Sequence, residues 1–538
     1  MVRRPDNRSS TYIPLDSWIY PAVQRLQGLG YLDTAFLGLR PWTRLTVARM
    51  LDASDREIQA GKGSANEEAR TIYAAVAREL LPDETEDRSR AELDTIYTRF
   101  LGITDTPLVD SYHLGQTIYN DYGRPYQAGV NQVSGASGRA ESGRFSLFVR
   151  GEYQHAPSAL GYDTALFTYL SEVVDHIPVE SNPVQDTIPL GPILTRNDFR
   201  LLEAYASYHA WGHEVSFGKK DHWLGPAVGG SFAWSNNADN TYSFEINRVE
   251  PLRVPVLSRV TGPFRYDFFV GSLQGHTDPN APWVHMEKVS LKPTRNLELG
   301  FERTVIWGGK DHAPITLHTF LRSFFSTANV SSEEKFSRND PGARFSSFDF
   351  SYRVPFVRNW LTLYTDSFAH DDVNPISAPR RAGIRPGIYL SHVPGVPHLD
   401  LRVEAASTDP PTMRSVGGIF LDWETVQKQG TTNKGYLFGD AVGREDKGGQ
   451  AWITYHLSAN EQIQLSYRNV KAAKDFIAGG TTQNQFRLDV VKRLGKDVEV
   501  NAWIQHESWK APIYRPGENG DTAAAGQITW YPHKTKVF

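Results

Sequence analysis

The 538-residue chain has no cysteine, which excludes thiol catalysis, cysteine-ligated metals and disulfides. It has no run of apolar residues long enough for a transmembrane helix, and its mean hydropathy is −0.44. A β-barrel needs no such run, because only alternate residues of each strand face lipid. An excess of one charge is also missing. Lys plus Arg number 57 and Asp plus Glu number 61, which argues against nucleic acid as a main partner. Zinc-protease (His-Glu-x-x-His), hydrolase (Gly-x-Ser-x-Gly) and phosphate-loop motifs are all absent. Carboxylates are plentiful, so a glycosidase-type pair stays open. No catalytic centre, cofactor or metal is expected. Met1 to Ser10 is charged, with no apolar region after it, so no signal peptide is visible. On that reading the chain is a mature form or a soluble protein.

Aromatics are plentiful, with 24 Tyr and 13 Trp. They suit membrane-interface girdles and sugar-stacking surfaces equally. The most regular stretch is Gln450 to Phe538. Ala451, Ile453, Tyr455 and Leu457 alternate with polar or amphipathic neighbours. So do Ile463, Leu465 and Tyr467, then Phe486, Leu488 and Val490, then Val498, Val500, Ala502 and Ile504. Period-two alternation makes strands with one apolar face. Tight turns are expected at Ser458 to Glu461 and Leu494 to Asp497, and long polar loops at Ala472 to Thr482 and Lys510 to Asp521. Short turns at one end and long loops at the other are the pattern of a transmembrane antiparallel β-barrel, with a soluble sandwich as the alternative. The terminal Phe538 fits the barrel.

The first hundred residues read differently. Asp16 is placed as the cap of a helix through Trp18, Ile19, Val23 and Leu26. Pro41 opens a second helix, and Ser64 with Glu67 caps a third. Arg90 to Phe100 reads as a fourth. The expected division is a periplasmic helical domain over 1–105 and a barrel over 106–538, with a helical insertion near 159–176. Strands are expected at Ser111 to Tyr119, Phe145 to Tyr153, Leu202 to Ala210, Glu214 to Lys220 and onward. Asp121 to Gly143 reads as a loop because it is rich in Gly, Ser and Asn. The count comes to about 17, which is odd. Termini on the short-turn side require an even number, and the error is expected between Ala156 and Gly262.

Lumen-facing positions include Glu203, Tyr205, His209, Glu298, Glu302, Arg402, Glu404, Arg468, Arg487, Asp489 and Glu499, and their mixed charges predict ion pairs. Lys220-Asp221-His222 and Lys310-Asp311-His312 each follow a strand. They read as turns, ligand contacts or metal ligands. Trp223 and Trp234 read as exposed aromatics beside amides and carboxylates, suited to sugar stacking or to interface anchoring.

Several stretches, in order, resemble the capsule assembly Wzi family of outer-membrane proteins. They are Tyr12 to Trp18, Gly28-Leu29-Gly30, Arg40-Pro41-Trp42, Asp110 to Thr117, Asn120 to Pro125, Gly218 to Pro226 and Ser235 to Ala238. A usual Trp-Trp-Gly-Pro pattern of that family reads His222-Trp223-Leu224-Gly225-Pro226 here. The resemblance implies an 18-stranded barrel with a periplasmic helical bundle. It also implies a lectin-like role in attaching capsular polysaccharide to the cell surface. The expected partners are capsular or other surface polysaccharide and outer-membrane lipid or lipopolysaccharide, with the protein a monomer. Many capsules are anionic, so Arg124, Lys219, Lys220, Lys310, Arg380 and Arg381 are the basic contact candidates. Trp223 and Trp234 are the stacking platforms, and Asp221, His222, Asp311 and His312 complete the candidate polysaccharide-binding set. A solute channel and a glycan-processing enzyme are the competing functions.

Overall fold

The computed structural model describes residues 7–61, 63–80, 89–327, 330–371, 378–532 and 534–537; Phe538 and the first six residues fall outside them. Eighteen antiparallel strands close into one barrel. Arg90–Ile103 pairs with Gly129–Ser142 on one side. On its other side it pairs with Arg515–Trp530 and the short continuation Lys534–Val537. Each remaining strand pairs with its neighbours in sequence. Alternation along Glu461–Ala472 shows the logic. Ile463, Leu465 and Tyr467 are exposed on the outer wall, whereas Ser466 and Arg468 are buried in the lumen.

The strands include three that the sequence does not signal. Arg90–Ile103 was expected as a helix. Leu93, Ile96, Tyr97 and Phe100 satisfy helical spacing as well as a strand, and only the closing partners decide. The barrel wall therefore begins inside the stretch assigned to the helical domain. Gly129–Ser142 was expected as a loop. Its small residues are needed there, since a Cβ at Gly135 would lie 2.6 Å from the Tyr97 ring. Arg515–Trp530 is a strand through the expected loop after Lys510. Conversely, Ser111 to Tyr119 contributes no wall strand. Val109–Asp110 and Gly115–Gln116 form a two-residue hairpin instead. The stretch from Ala156 to Gly262 holds no unread strand, so the counting error lay elsewhere.

Helices α1 (Ile19–Gly28), α2 (Arg44–Ala60) and α3 (Ser64–Leu80) sit at the short-turn end. Their apolar faces form a core around Val23, Leu26, Trp42, Val47, Leu51, Ile58 and Val76. Thr43, not Pro41, caps α2, by accepting from Thr46 N. Asp16 caps nothing; its carboxylate pairs with Arg150 of the wall at 2.6 Å. Arg25 of α1 forks onto Glu68 of α3 at 2.8 and 3.0 Å. The α-helical turn Thr164–Thr168 and the wider turns of Tyr169–Val174 occupy the expected insertion.

Candidate functional site

Long connections at the other end fold into the barrel rather than away from it. Residues 104–128, 157–195, 220–241 and 408–445 meet inside the lumen. Trp223 exchanges backbone hydrogen bonds with Arg40 at 3.0 and 3.1 Å, joining the 220–241 loop to the N-terminal segment. Gly123 N donates to Asn237 O at 2.8 Å and Ser235 N to Phe438 O at 2.6 Å. Trp234 stacks on Phe438 with centroids 4.1 Å apart. Loop backbone at this depth is tolerated because every loop finds partners in its neighbours.

A buried charge network ties three of these loops. His113 Nδ1 lies 3.0 Å from Asp110 and Nε2 2.9 Å from Asp175, whose other oxygen accepts from Arg444 at 2.7 Å. The Arg444 guanidinium lies 4.1 Å from the Tyr112 ring centroid. Burial alone would lower the His113 imidazolium, but Asp110 and Asp175 outweigh it and raise its pKa to about 9. Burial would raise Asp175, and His113 with Arg444 hold it below the usual carboxylate range.

Above this filling lies an open vestibule, a cavity of about 1130 Å³. It sits where the wall is lowest. Strands His213–Lys219 and Tyr242–Asn247 are 7 and 6 residues long, beside one of 15 residues at Arg196–Ala210. Gln154, Asn197, Gln274, Tyr242 and Tyr436 line it, with Pro189 and Leu194 from the 157–195 loop. Its floor is the carboxylate of Asp239. One oxygen accepts from Arg200 at 2.6 Å, and the other from Lys219 and Lys434, each at 2.8 Å. Over the whole lining, Arg196, Arg200, Lys219 and Lys434 face Asp186, Asp198 and Asp239, which leaves one positive charge in excess. Burial by itself would raise the Asp239 carboxyl; Arg200, Lys219 and Lys434 hold it below its usual range. Lys434 is 44% exposed, so its ammonium reaches both Asp239 and the cavity.

The sequence-derived candidates divide sharply. Lys219 lines the vestibule. Arg124, Lys220, Asp221, His222, Trp223 and Trp234 are buried, which corrects the expectation of exposed aromatics and loop cations. Their loop turns inward, and each side chain has work there. Arg124 forks onto Glu152 at 3.0 and 2.7 Å. Asp221 accepts from Leu15 N, Tyr122 Oη and Asn240 Nδ2. Trp223 Nε1 donates to Ala227 O, and Arg40 lies over its ring. His222, Glu245 and Asp267 bring possible ligand atoms within 4.8 Å of one another. Among the described residues they are the group that could hold a metal, although the Lys220 ammonium already pairs with Glu245. Lys310, Asp311 and Arg380 are exposed, and Arg381 is half-buried. His312 Nε2 lies 2.9 Å from Asp340. Arg200, Asp239 and Lys434 were not foreseen. They are spread over more than two hundred residues, and the only local hint was the turn-forming Asn433-Lys434-Gly435.

Comparison with known proteins now bears on this arrangement. A curated Klebsiella pneumoniae protein, described as an uncharacterized 55.8 kDa protein in the cps region, is 24% identical over 175 residues. That match covers 32% of this chain and 34% of the relative, so the chain spans about a third of that protein's length. The solved structure of Wzi is described as an outer membrane protein involved in group 1 capsule assembly in Escherichia coli and a carbohydrate-binding β-barrel. It aligns with a TM-score of 0.69 at 16% identity, over 97% of this chain and 99% of that one. The agreement extends to the closed barrel and the helices before it. The family model for capsule assembly protein Wzi matches residues 102–524. This outer-membrane β-barrel therefore belongs to the capsule assembly Wzi family.

Proposed function

We propose that the protein binds a surface polysaccharide in the vestibule, without catalysis, and so helps attach or assemble a capsule at the cell surface. The observation that carries this reading is the floor at Asp239. Excess cations there, with tyrosines and amides on the walls, offer charge, stacking and hydrogen bonds to a sugar chain. The Escherichia coli relative's description as carbohydrate-binding supports it. The long-loop end would face the medium and helices α1 to α3 the periplasm, with the barrel a monomer in contact with lipid and lipopolysaccharide. The filled lumen supports a binding role over a solute channel. Lys310, Asp311, His312, Arg380 and Arg381 are read as a secondary contact surface, because they are not among the residues that line the vestibule.

The test is binding of the producing strain's purified surface polysaccharide to detergent-solubilised protein. Arg200→Ala and Lys434→Ala should each weaken binding about tenfold, the loss of one charge-assisted contact of about 1.5 kcal/mol. Unchanged affinity in both variants would refute the vestibule as the site.

A further inference from the structure

Helix Leu317–Phe325 does not join the other long connections inside the barrel. It lies against the outer wall. Along Phe264–Ser272, Phe269 points into the lumen, where it stacks on His222 at 4.2 Å; its neighbour Phe268 therefore points out. Phe320 and Phe324 of the helix pack on Phe268, with ring centroids 6.3 and 6.0 Å away. They also flank His285 at 5.5 and 5.8 Å. Polar groups hold the helix down. His285 Nε2 and Ser323 Oγ are 2.9 Å apart, and Arg303 donates to the carbonyls of Phe324 and Ser326 at 2.9 and 2.8 Å. Thr316 caps the helix start by accepting from Thr319 N.

The covered wall is unusual. His285, Glu287 and Arg303 occupy outward positions at the long-loop end of their strands, and Glu287 and Arg303 are register partners. Two residues further toward the short turns, the outward pair is Val289 and Phe301, both exposed and apolar. Polar side chains on a water-facing wall would need no cover. At the edge of a lipid belt they do, and the helix supplies it. The other side of the helix carries Leu317, Leu321 and Phe325 at intervals of four residues, 72%, 42% and 71% exposed. Such a row is costly in water and is continuous with the apolar belt.

We propose that helix Leu317–Phe325 is an external membrane anchor. It lies flat on the barrel's outer wall and inserts Leu317, Leu321 and Phe325 among the acyl chains of the leaflet at the long-loop end. That leaflet is the outer one if the long loops face the medium, as read above; the insertion itself depends only on the barrel spanning a membrane.

Because the chain lacks cysteine, single thiols report unambiguously. Leu321→Cys and Phe325→Cys would carry a nitroxide in proteoliposomes, with Phe301→Cys as the lipid-belt reference and Lys310→Cys, exposed on the long connection before the helix, as the water reference. A heat-shift gel would verify that each variant is folded. Collision with oxygen and with a polar nickel chelate is then measured. The expected result is oxygen access at 321 and 325 matching 301, and nickel access roughly fivefold below that at 310. Nickel access equal to that at 310 overturns the proposal, since the helix then lies in water. Shielding from both reagents also overturns it, in favour of a second copy or another protein covering the face. A water-like signal at 301 would instead refute the lipid belt itself.

Discussion

At the short-turn end the lumen meets helices α1 to α3, which pack on one another through the apolar Val23, Leu26, Trp42 and Leu51 and are tied to the wall by ion pairs such as Asp16 with Arg150 and Asp33 with Arg353. At the long-loop end it meets His113, Asp175, Arg444, Asn237 and Asp239, nearly all buried and held by hydrogen bonds and ion pairs. Both ends are filled, but the chemistry differs. Apolar packing has no directional demand and leaves no polar room, so it suits a seal. A polar filling must satisfy each donor and acceptor, and where cations outnumber carboxylates it leaves charge to offer a ligand. The vestibule lies at that second end.

The difference can be broken from either side. The largest effect is expected from Arg444→Ala, which strands the buried Asp175 carboxylate beside His113. Removing one partner of a buried pair costs about 3–5 kcal/mol. Protease cleavage within 408–445 should rise and the melting temperature should fall, whereas a merely decorative ion pair would change neither. Trp42→Ala probes the other end. Its ring is fully buried and stacks on Tyr20 at 5.0 Å, so a loss of about 3 kcal/mol is expected, with α1 to α3 loosened and the vestibule still binding. Simultaneous loss of binding would show that the two ends are coupled.

A smaller effect follows from pH. The folded pKa of His113, about 9, lies above its ordinary value of 6.5. A raised pKa stabilises fully below about 6.5, and that contribution is lost as pH rises through about 9. Protease resistance of the long-loop end should therefore decline between these values while the helical end holds. In His113→Gln the decline should flatten; an unaltered decline would assign it to another group. The smallest effect is expected at the exposed surface. Lys310→Ala and Arg380→Ala should alter polysaccharide affinity less than about fivefold, since exposed pairs contribute at most about 1 kcal/mol.

Much of the barrel was legible because its rule is local. Alternation at Ile463, Leu465 and Tyr467 needs only a strand with a lipid face and a lumen face. Arg90–Ile103, Gly129–Ser142 and Arg515–Trp530 broke the rule for physical reasons. The first also fits a helix. The second is stripped of large side chains where Tyr97 crosses it, and the third hides Gly and Ala behind a polar start. The lumen filling was illegible for a deeper reason. Trp223 beside Asp221 looks like a surface sugar platform until Arg40, nearly two hundred residues away, is known to pair with its backbone. The floor likewise exists only when Arg200, Lys219, Asp239 and Lys434 have been brought together, and no local pattern marks residues recruited one at a time.

The most direct test of the account is a structure of the protein with an oligosaccharide of the producing strain's own surface polysaccharide. Sugar density in the vestibule, within hydrogen-bond distance of Arg200 and Lys434, is the predicted result. Density confined to the Lys310 and Arg380 surface, with the vestibule empty, would contradict it.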